Sequence, residues 1–394
     1  MKRLLLAGAA ALAAGPAMAQ EEVTMGVLLG FTGPIESLTP AMATGAEIAM
    51  EEVTESGALL GGAAVSPVRA DSTCIDSAAA TAAAERLITA EGIKGIMGAD
   101  CSGVTQAVLS NVAVANGMVM ISPSATSPAL TDAEDDGLFF RTAPSDARQG
   151  QVLAQVLADK GIDEVAVTYT NNDYGKGFAD AFEAAFEETG GMITLSASHE
   201  DGKADYFAEV GALASAGGEA LVVLGYVDQG GAGIVQAALD SGAFDMFAFG
   251  DGMIGDALTD NFGADIEGSV GTAPGSDNEG GAMFNEMASE AGIDGTSVYA
   301  GESYDATALM LLAMQAAGSV EPGDYAGHVM DVANAPGEPI LPGELGEALQ
   351  ILADGGAVDY QGATGVELVE PGEAAGSYAE YVIEDGALEV VQYR

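Results

Sequence analysis

Short apolar runs rich in β-branched residues alternate along this chain with alanine-rich stretches whose apolar positions recur every three to four residues. The first pattern predicts strands at 23–30 (VTMGVLLG), 64–71, 93–99 and 117–124. The second predicts helices at about 40–55, 76–91 and 104–115. In the last of these, Val104, Ala107, Val108, Val112 and Ala115 share one face. A second series of the same form follows, with strands at 164–170, 192–198, 219–226 and 246–252 and helices at about 149–160, 177–189, 206–216 and 231–241. Strands that are apolar without alternation are covered on both faces, which calls for parallel sheets with helices on either side. Two such series predict two Rossmann-like α/β lobes.

The remainder is less regular. A strong helix is expected at 303–318 and weaker ones near 324–333 and 343–353. After 360–365 (YQGATG) the pattern alternates, and 377–393 reads as a hairpin turning at Asp385-Gly386. Helices followed by a late hairpin fit no simple repeat, but they fit a chain that crosses between lobes more than once.

The N-terminus begins with Lys2 and Arg3, continues apolar to Ala14 and ends Ala17-Met18-Ala19. This is the form of a secretory signal peptide (1–19), too short to span a bilayer permanently. An exported chain of about 375 residues remains, enough for two domains. Losing Lys2 and Arg3 takes the formal charge from −49 to −51. Such a surface repels nucleic acid and anionic membrane, and suits salty surroundings that screen self-repulsion. Export also bears on the two cysteines. In an oxidising compartment a Cys74–Cys101 bridge is favoured over a reactive thiol, since the pair closes two successive strand-like runs that parallel neighbours would bring together.

Enzyme signatures are scarce. His199 and His328 lie in unrelated contexts, which leaves little material for a histidine metal site or a Ser-His-Asp triad. Neither a Gly-x-Ser-x-Gly elbow nor a phosphate-binding Walker loop occurs. GDGMIG (250–255) matches Gly-x-Gly-x-x-Gly, but it follows a late strand in a glycine-rich chain and is better read as a glycine-rich strand end. Polar residues gather instead beyond strand ends: Asp100-Cys101-Ser102, Ser122 to Thr126, Asn171 to Tyr174, Tyr226 to Asp228, and Gly250-Asp251. In open α/β sheets that edge receives ligands. Any one of these serines or threonines reads equally well as a helix cap. Their recurrence at the same edge of both halves points to a cleft.

Several motifs then carry a resemblance: GFTGP (30–34), GADCSGVTQ (98–106), MISPSATSPALTD (120–132), YTNNDYGKGFADAF (169–182), GYVDQGG (225–231), FGDGM (249–253) and YDATALML (304–311). In order and spacing the chain resembles the periplasmic substrate-binding proteins of branched-chain amino-acid ABC transporters, the family of the leucine- and leucine/isoleucine/valine-binding proteins. The resemblance implies a type I periplasmic binding fold with three inter-lobe crossovers, lobe one at 21–142 plus 275–359 and lobe two at 143–274 plus 360–394. It implies an amino acid held in the cleft, with Ser102, Ser124 and Thr126 on its carboxylate, Asp251 on its ammonium, and Tyr174 and Tyr226 closing the site. It also implies a Cys74–Cys101 disulfide, a membrane permease as partner, no cofactor, no metal and no bond chemistry. An amide, urea-like or aromatic-acid solute, or a sensory role, are the alternatives on the same fold. Three departures stand out: Asp251 where glutamate is frequent, Ser124 in place of a smaller apolar residue, and no aromatic after GFTGP.

Overall fold

The protein is described by a computed structural model covering residues 22–394; the expected signal peptide lies outside the described residues. Two seven-stranded sheets carry the chain. In the first, the strand Glu22–Leu29 is next to one edge, with Ala64–Asp71 as the edge strand on one side and Ile96–Gly98, Met120–Ser122 and Phe139–Arg141 in turn on the other, all parallel. The second repeats this order with Glu164–Thr170 next to the edge strand Met192–His199, and Ala220–Leu224, Phe247–Phe249 and Val270–Pro274 in turn on its other side. The hairpin Tyr378–Glu384/Ala387–Tyr393 then adds antiparallel strands to the second sheet.

Both lobes are therefore doubly wound, and each has its topological switch between the first strand and the third. At such a point the connections leave in opposite directions and open a crevice beyond the strand ends. In the first lobe the crevice is walled by the segments after Leu29 and Gly98, and in the second by those after Thr170 and Leu224. The strands are uniformly buried where the apolar runs are continuous, as in Ala220–Leu224. The helix Ala300–Ala317, apolar on nearly every side, is buried as far as Gln315 and packs on Thr39–Ser56.

Two strands of the parallel sheets were not anticipated from the pattern. Phe139–Arg141 is only three residues long and ends in a charge, and Val270–Pro274 contains Gly271 and ends in a proline. The first of these explains a shift in the lobe boundaries. Leu368–Val369 and Glu373–Ala374 join the first sheet, with Glu373 in parallel register with Arg141 and ion-paired to it. Residues 360–374 thus belong with the first lobe, not the second, because the buried Arg141 guanidinium draws Glu373 to that sheet. The chain crosses at 142–145, 274–278 and about 374–377. These crossings are stitched together: Ser377 Oγ donates to Gly275 O (2.6 Å) and Tyr378 Oη to Ser145 O (2.9 Å).

Cys74 and Cys101 form a disulfide, Cα–Cα 5.1 Å apart, across the strand ends that face the cleft.

Candidate functional site

The loop after Glu22–Leu29 is fixed first. Asp100, buried, accepts hydrogen bonds from Gly30 N and from Ser72 Oγ (2.8 Å), so three strand ends share one carboxylate. Gly33 sits at φ +126°, where an added Cβ would stand 2.4 Å from Thr73 O, and this forces a glycine. The turn that results places Ile35 and Leu38 against the cleft.

Beyond Gly98, a helical run begins at Ser102 and continues through a π-turn to Asn116. Its N-cap is Cys101, committed to the disulfide and unable to cap with its side chain. The first N–H groups of this run are left without a side-chain acceptor, an arrangement that favours an anion. Ser102 Oγ accepts from Ser127 N (3.1 Å) and Ser124 Oγ donates to Asp100 O (3.0 Å). Thr126 is fully buried, and its hydroxyl has no hydrogen-bond partner among the described residues. The loop carrying Ser124 and Thr126 is held from beneath by Arg141, whose Nη1 donates to Ala125 O (3.1 Å) and Ser127 O (2.9 Å).

The second lobe answers with aromatic rings and acid. Asn172 caps the helix Asp173–Glu188 through Gly175 N, which sets Tyr174 in its first turn. Tyr174 stacks on Tyr226, with centroids 5.1 Å apart and planes at 17°. Asp251 opens a short turn after Phe247–Phe249. A Cβ on Gly252 would lie 2.6 Å from Gly225 O, so the glycine of the GDGM stretch serves close packing of this turn, not a dinucleotide.

Asp251 is 1% exposed. Tyr174 Oη donates to its Oδ1 (2.8 Å) and Tyr299 Oη to its Oδ2. Burial pushes the Asp251 carboxyl up, while the two tyrosine hydroxyls pull it back. Beside it stands Asp146, also buried, with neither oxygen hydrogen-bonded among the described residues. Burial and the Asp251 charge hold the Asp146 carboxyl well above its usual range, opposed by Thr126 and by the Arg141 charge. Two carboxyls are thus crowded where a cation would relieve both.

Five of the six ligand residues expected from the sequence, Ser102, Ser124, Tyr174, Tyr226 and Asp251, meet around one cleft with Ile35, Leu38, Asp100, Cys101, Gly252 and Tyr299. The residues close in tightly, leaving a cavity of about 20 Å³ between them. Thr126 lies just outside its lining, against Asp146. Tyr299 and Asp146 were missed. Tyr299 comes from the first lobe, at the head of Ala300–Ala317, and is held at φ +68°, a left-handed conformation costly for a tyrosine. Nothing in SVYAGES marks it. Asp146 reads in sequence as an ordinary first-turn helix acid.

Among the described residues, no group of three or more His, Cys, Asp or Glu is placed to hold a metal ion, and no helix is long and apolar enough to cross a membrane. His199 is buried against Thr168 (2.9 Å) away from the cleft, its imidazole pushed down to about 4 by burial.

The family model described as "periplasmic binding protein" matches residues 22–329. The chain belongs to this family. Among relatives of this periplasmic binding protein, Leu/Ile/Val-binding protein homolog 1 of Brucella melitensis biotype 1 is 30% identical over 334 residues, 83% of this chain and 87% of its own. The leucine-, isoleucine-, valine-, threonine- and alanine-binding protein of Pseudomonas aeruginosa is 26% identical, covering 82% and 86%. In fold, the protein is similar to the branched-chain amino acid transporter substrate binding protein LivJ of Streptococcus pneumoniae, solved with isoleucine (TM-score 0.79, 20% identity, 95% and 99% covered). As a member of this family the chain is a solute-binding protein and not an enzyme.

Proposed function

We propose that this periplasmic binding protein captures an aliphatic amino acid between its lobes and delivers it, from the periplasm, to the permease of an ABC importer. The observation that carries the reading is the polarity of the cleft. One wall offers Ser102 and an uncapped helix start, and the other offers the buried Asp251 with Asp146 beside it. A zwitterion matches both: its carboxylate faces N–H and O–H donors, and its ammonium supplies the positive charge that the two acids lack. Ile35 and Leu38 leave an apolar wall for a side chain, which supports an aliphatic solute over a urea-like one. The names of the relatives support the same class. Because ligands from both lobes are required, binding favours the closed arrangement.

A thermal-shift screen tests the reading. Branched-chain and small aliphatic amino acids are expected to raise the melting temperature in a concentration-dependent way, and amides and aromatic acids are not. A shift produced only by aromatic acids or amides would replace the proposed solute class.

A further inference from the structure

The helix Thr39–Ser56 has no cap of its own. Its N-cap is Leu38, which offers no side-chain acceptor, and its first turn holds no acidic residue. An 18-residue helix in that condition presents unpaired N–H groups and the positive end of its dipole. Just ahead of it the opposite lobe supplies an acid: Asp228 Oδ2 accepts from Ser37 N, two residues before the helix begins, at 2.8 Å, and Asp228 N donates to Pro34 O at 3.0 Å. We propose that Asp228 is a latch across the cleft, a positioning residue that grips the loop leading into this helix and holds the lobes together around the solute without touching it.

Three features make this contact suited to the task. Asp228 is rigidly tied to the solute wall of its own lobe, since it lies two residues beyond Tyr226 and the intervening Val227 N donates to Gly252 O (3.0 Å). The loop it grips carries Ile35 and Leu38, the apolar wall of the other lobe. Asp228 itself does not line the cleft. Closure therefore forms the latch, and opening breaks it.

The inference rests on the proposed amino-acid reading, and its test separates the two. Asp228→Ala and Asp228→Asn are compared with the unaltered protein for solute dissociation rate in stopped flow, using leucine and alanine as probes. Hydrogen exchange of the Ser37 amide is followed with and without solute. In the unaltered protein, solute should slow exchange at Ser37. Asp228→Ala should abolish that slowing and raise dissociation about 5- to 30-fold. The association rate and the leucine-to-alanine preference should stay within about twofold. Asp228→Asn, which keeps a neutral acceptor, should fall between. An unchanged melting temperature of the solute-free variant separates the effect from misfolding. A wild-type dissociation rate in Asp228→Ala, or a changed leucine-to-alanine preference, would overturn the latch. Failure of the unaltered protein to bind either amino acid would instead overturn the proposed solute class.

Discussion

A carboxylate buried with tyrosine hydroxyls as its only side-chain donors keeps its charge at a cost, because O–H dipoles replace less hydration than a cation would. Asp251 is in this position, and Asp146 is worse served. An arriving ammonium is then favoured by what it relieves as much as by what it touches. Asp251→Asn is expected to weaken amino-acid binding by roughly 2–5 kcal/mol, as when one partner of a buried charged pair is lost. Calorimetry checks it, and an affinity close to that of the unaltered protein would place the ammonium elsewhere. At this scale the sequence was legible wherever a residue follows a strand in a recognisable motif, as Ser102, Tyr174, Tyr226 and Asp251 do. It was silent on Tyr299, whose presence at the cleft depends on a left-handed turn and on the docking of a helix more than forty residues beyond Asp251. Ser124 and Thr126 share one loop, but Thr126 lies outside the cleft lining and Ser124 spends its hydroxyl proton on Asp100 O, which leaves less of it for a ligand.

Among elements, the crossings between the lobes carry the mechanism. They meet at Glu302, whose carbonyl accepts from Thr142 Oγ1 (2.8 Å) and whose carboxyl is pushed up to about 8 by burial and by the nearby Asp305 charge. Asp305, itself raised to about 6, is satisfied by Tyr360, Ala363 and Thr364. A raised carboxyl binds its proton more tightly in the folded chain than in the unfolded one. Its contribution is therefore intact below pH 4.5 and is lost as pH climbs toward 8. Glu302→Gln should remove that loss, leaving the variant more stable than the unaltered protein at pH 9 by about 5 kcal/mol and indistinguishable near pH 4. Melting temperatures across that range decide it, and parallel curves for the two proteins would show that Glu302 does not titrate in this way. The strand-and-helix alternation of both lobes could be read from apolar runs alone. The third crossing could not, because it is set by the pairing of Glu373 with Arg141, two charges distant in sequence whose partnership leaves no local pattern.

For the whole molecule, charge is the unusual quantity. Of the lysines and arginines in the described residues, all but Arg148 and Lys160 are paired with a carboxylate, so a formal charge of −49 is met mostly by solvent and its ions. Self-repulsion on this scale weakens as salt shortens the screening length from about 30 Å at 0.01 M to about 3 Å at 1 M. The melting temperature is expected to rise steadily over that range of sodium chloride, and a flat or falling curve would mean that the acidic coat is not a source of strain. The same coat leaves the cleft as the place where a positive group is bound specifically and not merely attracted, since Asp251 and Asp146 are removed from the screening ions. The central claim is that a zwitterion is clamped by both its ends, each on a different lobe. The most direct measurement is calorimetric titration with the amino acid giving the largest thermal shift, alongside its decarboxylated amine and its deaminated acid. The clamp predicts that each analogue binds at least about a hundredfold more weakly than the amino acid. Either analogue binding as tightly as the amino acid would contradict it.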